Sequence, residues 1–161
     1  MPPSLELQLL QSWRRHNSIL LFLLTQIPPT GATAVPANSR GRTVAEQFAH
    51  LDRVRRGWLA YHATGKRPKM EKTEKGNPPP LTEIAKQLEV SGHAIEATLQ
   101  PGAKIRMFGS SPVRWFSYLI AHESHHRGQI LIALKQNGHR LPVKIAVDGL
   151  WGKWIMGKDE I

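Results

Sequence analysis

The stretch His122-Glu123-Ser124-His125-His126-Arg127-Gly128-Gln129 puts three histidines and a Glu/Arg pair into eight residues. His122 and His126 are four apart, so on a helix they stand one turn above each other on one face. That spacing can offer two imidazoles to one divalent metal. The chain contains no cysteine. Disulfides, thiolate zinc sites, iron–sulfur clusters and cysteine nucleophiles are thereby excluded, and any metal must be held by His, Asp or Glu.

Four long helical patterns and a shorter fifth must position these residues, and no good strand is read. The first helix, from about Ser4 to Ile27, has an apolar stripe of Leu5, Leu9, Trp13, Leu20, Leu23 and Leu24, and Pro28-Pro29 stops it. The second starts at Thr43, where Thr43-Val44-Ala45-Glu46 fits a capping box, and ends near Thr64-Gly65. Its apolar face is Val44, Phe48, Leu51, Val54, Trp58 and Leu59. Residues 66–80, rich in Lys, Glu, Gly and Pro, form a mobile surface loop. The third helix, about Leu81 to Leu99, turns Ile84, Leu88, Ile95 and Leu99 inward. The fourth opens with Pro112 after Ser110-Ser111, carries Val113, Phe116, Leu119, Ile120, Ile130, Leu131 and Leu134, and closes at Asn137-Gly138. The tail, about Val143 to Met156, makes a short closing helix with Leu150, Trp151, Trp154 and Ile155. With 161 residues, 40% of them hydrophobic, the pattern predicts a single all-α domain over residues 1–161, a four-helix bundle. Bundles often house metal sites in their core.

At about 100° per residue, with Phe116 as the centre of the apolar arc, His126 falls inside it near Leu119 and Ile130. His122 sits at the edge of the arc beside Trp115, and His125 points away. Glu123 and Arg127 also fall inside the arc. A charged pair there costs several kcal/mol unless well paired. It is either an internal salt bridge that fixes packing, or a pair that orients a ligand or contacts substrate. Gly128, mid-helix, costs about 1 kcal/mol relative to Ala, which predicts a close approach by a neighbouring helix.

Two imidazoles seldom hold a metal firmly. His50 in the second helix, beside Val54 and Tyr61 on the wheel, is the best third candidate. Glu46, one turn earlier, is placed to orient it or to contribute a carboxylate. Arg55 lies in the apolar arc of the same helix and is a partner for Glu123. His16, His62, His93 and His139 read as ordinary surface or hydrogen-bonded histidines.

The formal charge is +10, from 22 Lys+Arg against 12 Asp+Glu. This balance suits anionic partners. The basic residues are dispersed, with no run of five or more, which argues against nucleic acid. The apolar run Ile19–Leu24 has six residues, far short of the ~20 needed to span a bilayer. No secretory signal is recognised, and a cytoplasmic protein without membrane contact is expected.

These residues resemble the DinB/YfiT-like superfamily of metal-binding four-helix bundles, over essentially the whole chain. The resemblance is carried by His50, by the string His122 to Gln129, by the Leu134-Lys135-Gln136-Asn137-Gly138 turn and by the Trp151-Gly152-Lys153-Trp154 tail. It implies a bundle with a long crossover connection and a three-histidine site of His50, His122 and His126. It implies zinc or nickel as the metal, and a homodimer. Among relatives it implies transferases and isomerases that use low-molecular-weight thiols.

Three neutral imidazoles leave a coordination position open, the pattern of a catalytic metal. Such a site can acidify a bound water, as in a hydrolase, or deprotonate a thiol, as in a thiol S-transferase. With no cysteine in the chain the thiol must be exogenous. Glu46, Glu123 and Arg127 are the candidate acid–base or orienting groups. A non-catalytic metal protein of stress response or sensing is the alternative, and a basic nucleic-acid-associated bundle ranks last.

Overall fold

The computed structural model describes residues 3–70 and 75–156, and all regular structure among them is helical. Helix α1 spans Leu5–Thr25, α2 Val44–Thr64, α3 Leu81–Thr98 and α4 Pro112–Gln136. The starts of α1, α2 and α4 have a local cause. The Ser4 hydroxyl accepts from the Leu7 amide at 3.3 Å, and Ser111 does the same for Arg114 with Pro112 in the first turn. Thr43 and Glu46 form the complete capping box. Gly65, left-handed at φ 73°, closes α2.

Side-chain pairings give the helix directions. Gln47 meets His126, Arg55 meets Glu123 and Trp58 meets Tyr118, so α4 runs antiparallel to α2. Trp13 meets Gly92 and Arg14 meets Glu96, while Asn17 and Leu88 share Arg55, so α1 runs antiparallel to α3. Helices α2 and α3 are parallel, and the bundle is up-down-down-up. Their connection must return along the bundle. The Gly76 amide, just before α3, donates to the Glu46 carboxylate at the start of α2. This anchors the part of the predicted loop next to α3; residues 71–74 lie outside the described residues.

The core has two apolar parts. One gathers Leu20, Leu23, Phe48, Leu51, Ile84, Leu88, Ile130 and Leu134. The other gathers Trp13, Ile95, Leu99, Trp115 and Leu119. Between them lies a buried polar layer with one contribution or more from α1, α2 and α4: His16, Asn17, Arg55 and Glu123. Each fully buried Leu, Ile or Phe favours the fold by about 1.5–3 kcal/mol. The polar layer contributes through its pairing instead.

Several sequence expectations shift in detail. Leu5, placed on the α1 stripe, is 55% exposed because it precedes the first packed turn. In α4 the buried arc centres on Leu119 and Glu123, not Phe116: Trp115 is fully buried, Phe116 partly, and Val113 is exposed. The tail is helical but mostly π-helical over Ile145–Gly152, followed by the short α5, Lys153–Ile155. Leu150 packs inward and Trp151 and Ile155 face outward.

Among the described residues the close approach predicted at Gly128 is absent, since a Cβ there would meet none of them within 4 Å. It occurs at Gly92, where α1 crosses α3 and a Cβ would collide with the Asn17 carboxamide. Thermal or urea unfolding should separate the two. Gly128→Ala is expected to stabilise by up to about 1 kcal/mol, and Gly92→Ala to destabilise by about 1–3 kcal/mol.

Candidate metal centre

The antiparallel seam of α2 and α4 brings His50 to His122 and His126. Their ligating nitrogens all lie within 4.8 Å of one another. Ring centroids are 5.6 Å apart for His50–His122, 4.9 Å for His50–His126 and 4.8 Å for His122–His126. His126 is buried, and the other two are half-buried. Burial, the Arg42 charge and the neighbouring His122 and Arg53 push His50 down to about 4. Burial and the adjoining imidazoles, with Arg42, push His126 down to about 3. Burial also lowers His122, against the pull of Glu123. Three neutral imidazoles with available lone pairs are the state that metal coordination requires.

The α2 helix supplies an orienting group that sequence reasoning missed. Gln47 is buried, and its side-chain oxygen accepts from His126 Nδ1 at 3.0 Å. This leaves Nε2 as the lone-pair atom of His126. Tyr118, one turn before His122, stacks on its ring at 5.6 Å and 14°. A polar side chain among Val44, Phe48 and Leu51 was the available signal for Gln47. His125 is exposed, with Gln129 donating to its Nε2 at 2.9 Å, as the wheel places it.

A model of the DinB family matches residues 1–159. The chain belongs to the DinB family. None of the curated proteins searched matches it. The connection between the parallel α2 and α3 is the long crossover that the resemblance implied for a DinB bundle. No described helix is long and apolar enough to cross a membrane.

Glu46 and Glu123, the two carboxylates singled out from the sequence of this DinB bundle, are committed elsewhere. One Glu46 oxygen accepts from the Thr43 amide at 2.7 Å and the other from Gly76. Glu46 therefore caps α2 and ties down the crossover, and does not orient His50. Burial raises its carboxyl, but the backbone hydrogen bonds from Gly76 and Thr43 outweigh this and hold it below the usual carboxylate range. Glu123 pairs with Arg55 across the bundle: Nε donates to Oε1 at 2.7 Å and Nη2 to Oε2 at 2.8 Å. Burial pushes its carboxyl up, and Arg55, helped by His16, holds it well down. The partner of Glu123 is thus Arg55 and not Arg127. Arg127 is half-buried and reaches the Ser124 hydroxyl at 3.5 Å.

Beside the histidines an open cleft of about 790 Å³ runs along α2. Tyr118 is shared between the two, lining the cleft and stacking on His122. Arg67, Pro68 and Met70 line it from the segment after α2, and Met107 from the α3–α4 connection, where Met107, Phe108 and Ser110 hold positive φ of 64°, 49° and 55°. For residues other than glycine such backbone costs about 1–3 kcal/mol each and gathers at functional sites. Phe108 pins this segment, its ring 4.9 Å from Trp58 and 5.2 Å from both Trp115 and Tyr118.

Proposed function

We propose that His50, His122 and His126 hold a divalent ion, zinc or nickel, and that the chain is a metal-dependent enzyme of the thiol-transferase or hydrolase kind. The observation that carries this reading is the convergence of three neutral imidazoles next to an open cleft, with Tyr118 shared between the two. A closed structural site has no use for a cleft; a catalytic one needs a route for substrate. When bound, the ion keeps a position for an exogenous ligand and acidifies a water or thiol placed there.

The protein's own residues prepare that position. Gln47 sets the tautomer of His126, and Tyr118 fixes the plane of His122. Burial, with smaller contributions from the neighbouring imidazoles and from Arg42, keeps the three histidines neutral. Glu46 and Glu123 are both engaged in the fold and do not face the three histidines as acid–base groups.

The test uses untagged protein, assayed for bound metal and then for turnover after reconstitution. Thiols with electrophilic substrates form one arm; esters and amides without thiol form the other. Thiol-dependent turnover supports transfer, and turnover without thiol supports hydrolysis. Stoichiometric metal with neither activity supports the sensing alternative, and absence of metal overturns the reading. Gln47→Leu is expected to weaken metal affinity by about 10–100-fold while leaving the helical fold intact, as measured by competition with a chelating dye.

A further inference from the structure

His62, near the end of α2, is 5% exposed and set among aromatic rings. Trp58 stacks on it at 5.9 Å, Trp115 stands nearly perpendicular at 4.7 Å, and Phe108 lies at 6.2 Å. Its Nδ1 accepts from the Arg106 amide at 3.2 Å, so the proton of the neutral ring is on Nε2. Nε2 is buried and makes no hydrogen bond. The Arg106 side chain completes the contact. Its Nε donates to the His62 carbonyl at 2.8 Å, and a Cβ on Gly65 would meet its guanidinium at 3.3 Å. The end of α2 is therefore fastened to the α3–α4 connection at Arg106, directly before the positive-φ residues Met107 and Phe108. Phe108 in turn packs on Tyr118, which stacks on His122.

A protonated imidazole has two donors and no acceptor. Its Nδ1–H would face the Arg106 N–H, and its charge would sit among rings beside a second cation. Tyr61 of α2 and Arg106 of the connection are the titratable or charged groups placed against the ring among the described residues; α4 contributes Trp115, and the connection also Phe108. Burial, and then the Arg106 charge, hold the imidazole below the ordinary histidine value.

We propose that His62 is a proton-operated latch on the α3–α4 connection. Neutral, it holds the Arg106 amide and the strained backbone that follows. Protonated, it lets both go, and the packing of Phe108 on Trp58 and Tyr118 loosens with them. The latch is closed at neutral pH and above, and it weakens as pH falls below about 6.5, because the released ring binds a proton more readily than the held one. It requires no metal at the neighbouring histidines.

Amide hydrogen exchange of the protein as purified tests this, with Arg106 as reporter and Leu88 and Ile95 of α3 as controls. Corrected for intrinsic exchange, protection of the Arg106 amide is expected to fall by about threefold or more between about pH 6.5 and 5. Leu88 and Ile95 should keep theirs, and the Met107 methyl resonance should shift with the His62 ring resonances. His62→Asn offers an amide oxygen near the Nδ1 position and takes up no proton, so Arg106 should stay protected throughout. That variant leaves His50, His122 and His126 intact; a loss that persists in it belongs to them and overturns the proposal. Constant Arg106 protection in wild type, or an equal loss at Leu88 and Ile95, overturns it as well. Should His62→Asn not fold, wild type alone decides: a Met107 shift whose midpoint differs from that of His62 defeats the latch.

Discussion

Glu123→Ala is expected to lower the free energy of unfolding by about 3–5 kcal/mol, measured by urea denaturation of metal-free protein. Glu123 and Arg55 have side chains 1% and 0% exposed, and Arg55 uses its guanidinium on Glu123, on the Asn17 oxygen at 2.8 Å and on the Leu88 carbonyl at 2.9 Å. Its Cζ also lies 4.8 Å over the Trp13 ring. Removing the carboxylate leaves a full charge buried between the two halves of the core, with His16 Nε2 losing its acceptor as well. Glu123→Gln keeps the shape and is expected to destabilise too, by less. Arg55→Met with Glu123→Met together should cost less than either single change, because the dominant penalty is the orphaned charge. Losses below about 1 kcal/mol for the single variants would mean the layer is not desolvated. The pH dependence has a definite sign. The folded carboxyl titrates below the ordinary Glu value of about 4.3, so its stabilisation is complete above that value and is lost as pH falls through the depressed one.

His126→Ala is expected to abolish stoichiometric metal binding, and His50→Ala to do the same. His126 is the most buried of the three, and it is the one that Gln47 orients. Metal at about a thousand times its Kd stabilises a protein by about 4 kcal/mol, so loading wild type should raise Tm clearly and loading His126→Ala should not. In the metal-free state the same change removes a hydrogen bond to Gln47 and costs about 1 kcal/mol. Comparing the two states separates a ligand from a packing residue. Full metal occupancy in both variants would overturn the assignment.

The helices and their caps were legible because they depend on near neighbours in sequence. The Thr43–Glu46 box, the Pro112 start and the 3–4 spacing of Ile84, Leu88 and Ile95 are short-range signals, and each appears in the structure. The pairing of Arg55 with Glu123 was legible for a different reason: a charge on an apolar arc demands a partner, and few were on offer. Where sequence reasoning slipped, it lacked the neighbouring helix. Glu46 looked like a candidate for the histidines because it is one turn from His50, but its carboxylate is drawn to the Gly76 amide, which a crossover brings back from thirty residues away. Gly128 looked like a contact, whereas the contact falls at Gly92, which nothing in the sequence singled out, because a glycine's reason depends on what faces it.

The sequence by itself determined that the chain is helical, that His122 and His126 share a face, that His125 does not, and that any thiol must come from outside. These follow from helical periodicity and from composition. Only the tertiary structure decided that His50 comes within reach of the pair, that Gln47 and not Glu46 orients an imidazole, and that a cleft lined by Trp58, Tyr61 and Tyr118 opens beside them. Those facts depend on the directions of α2 and α4 and on the path between α3 and α4, which are fixed by packing over long separations rather than by local spacing.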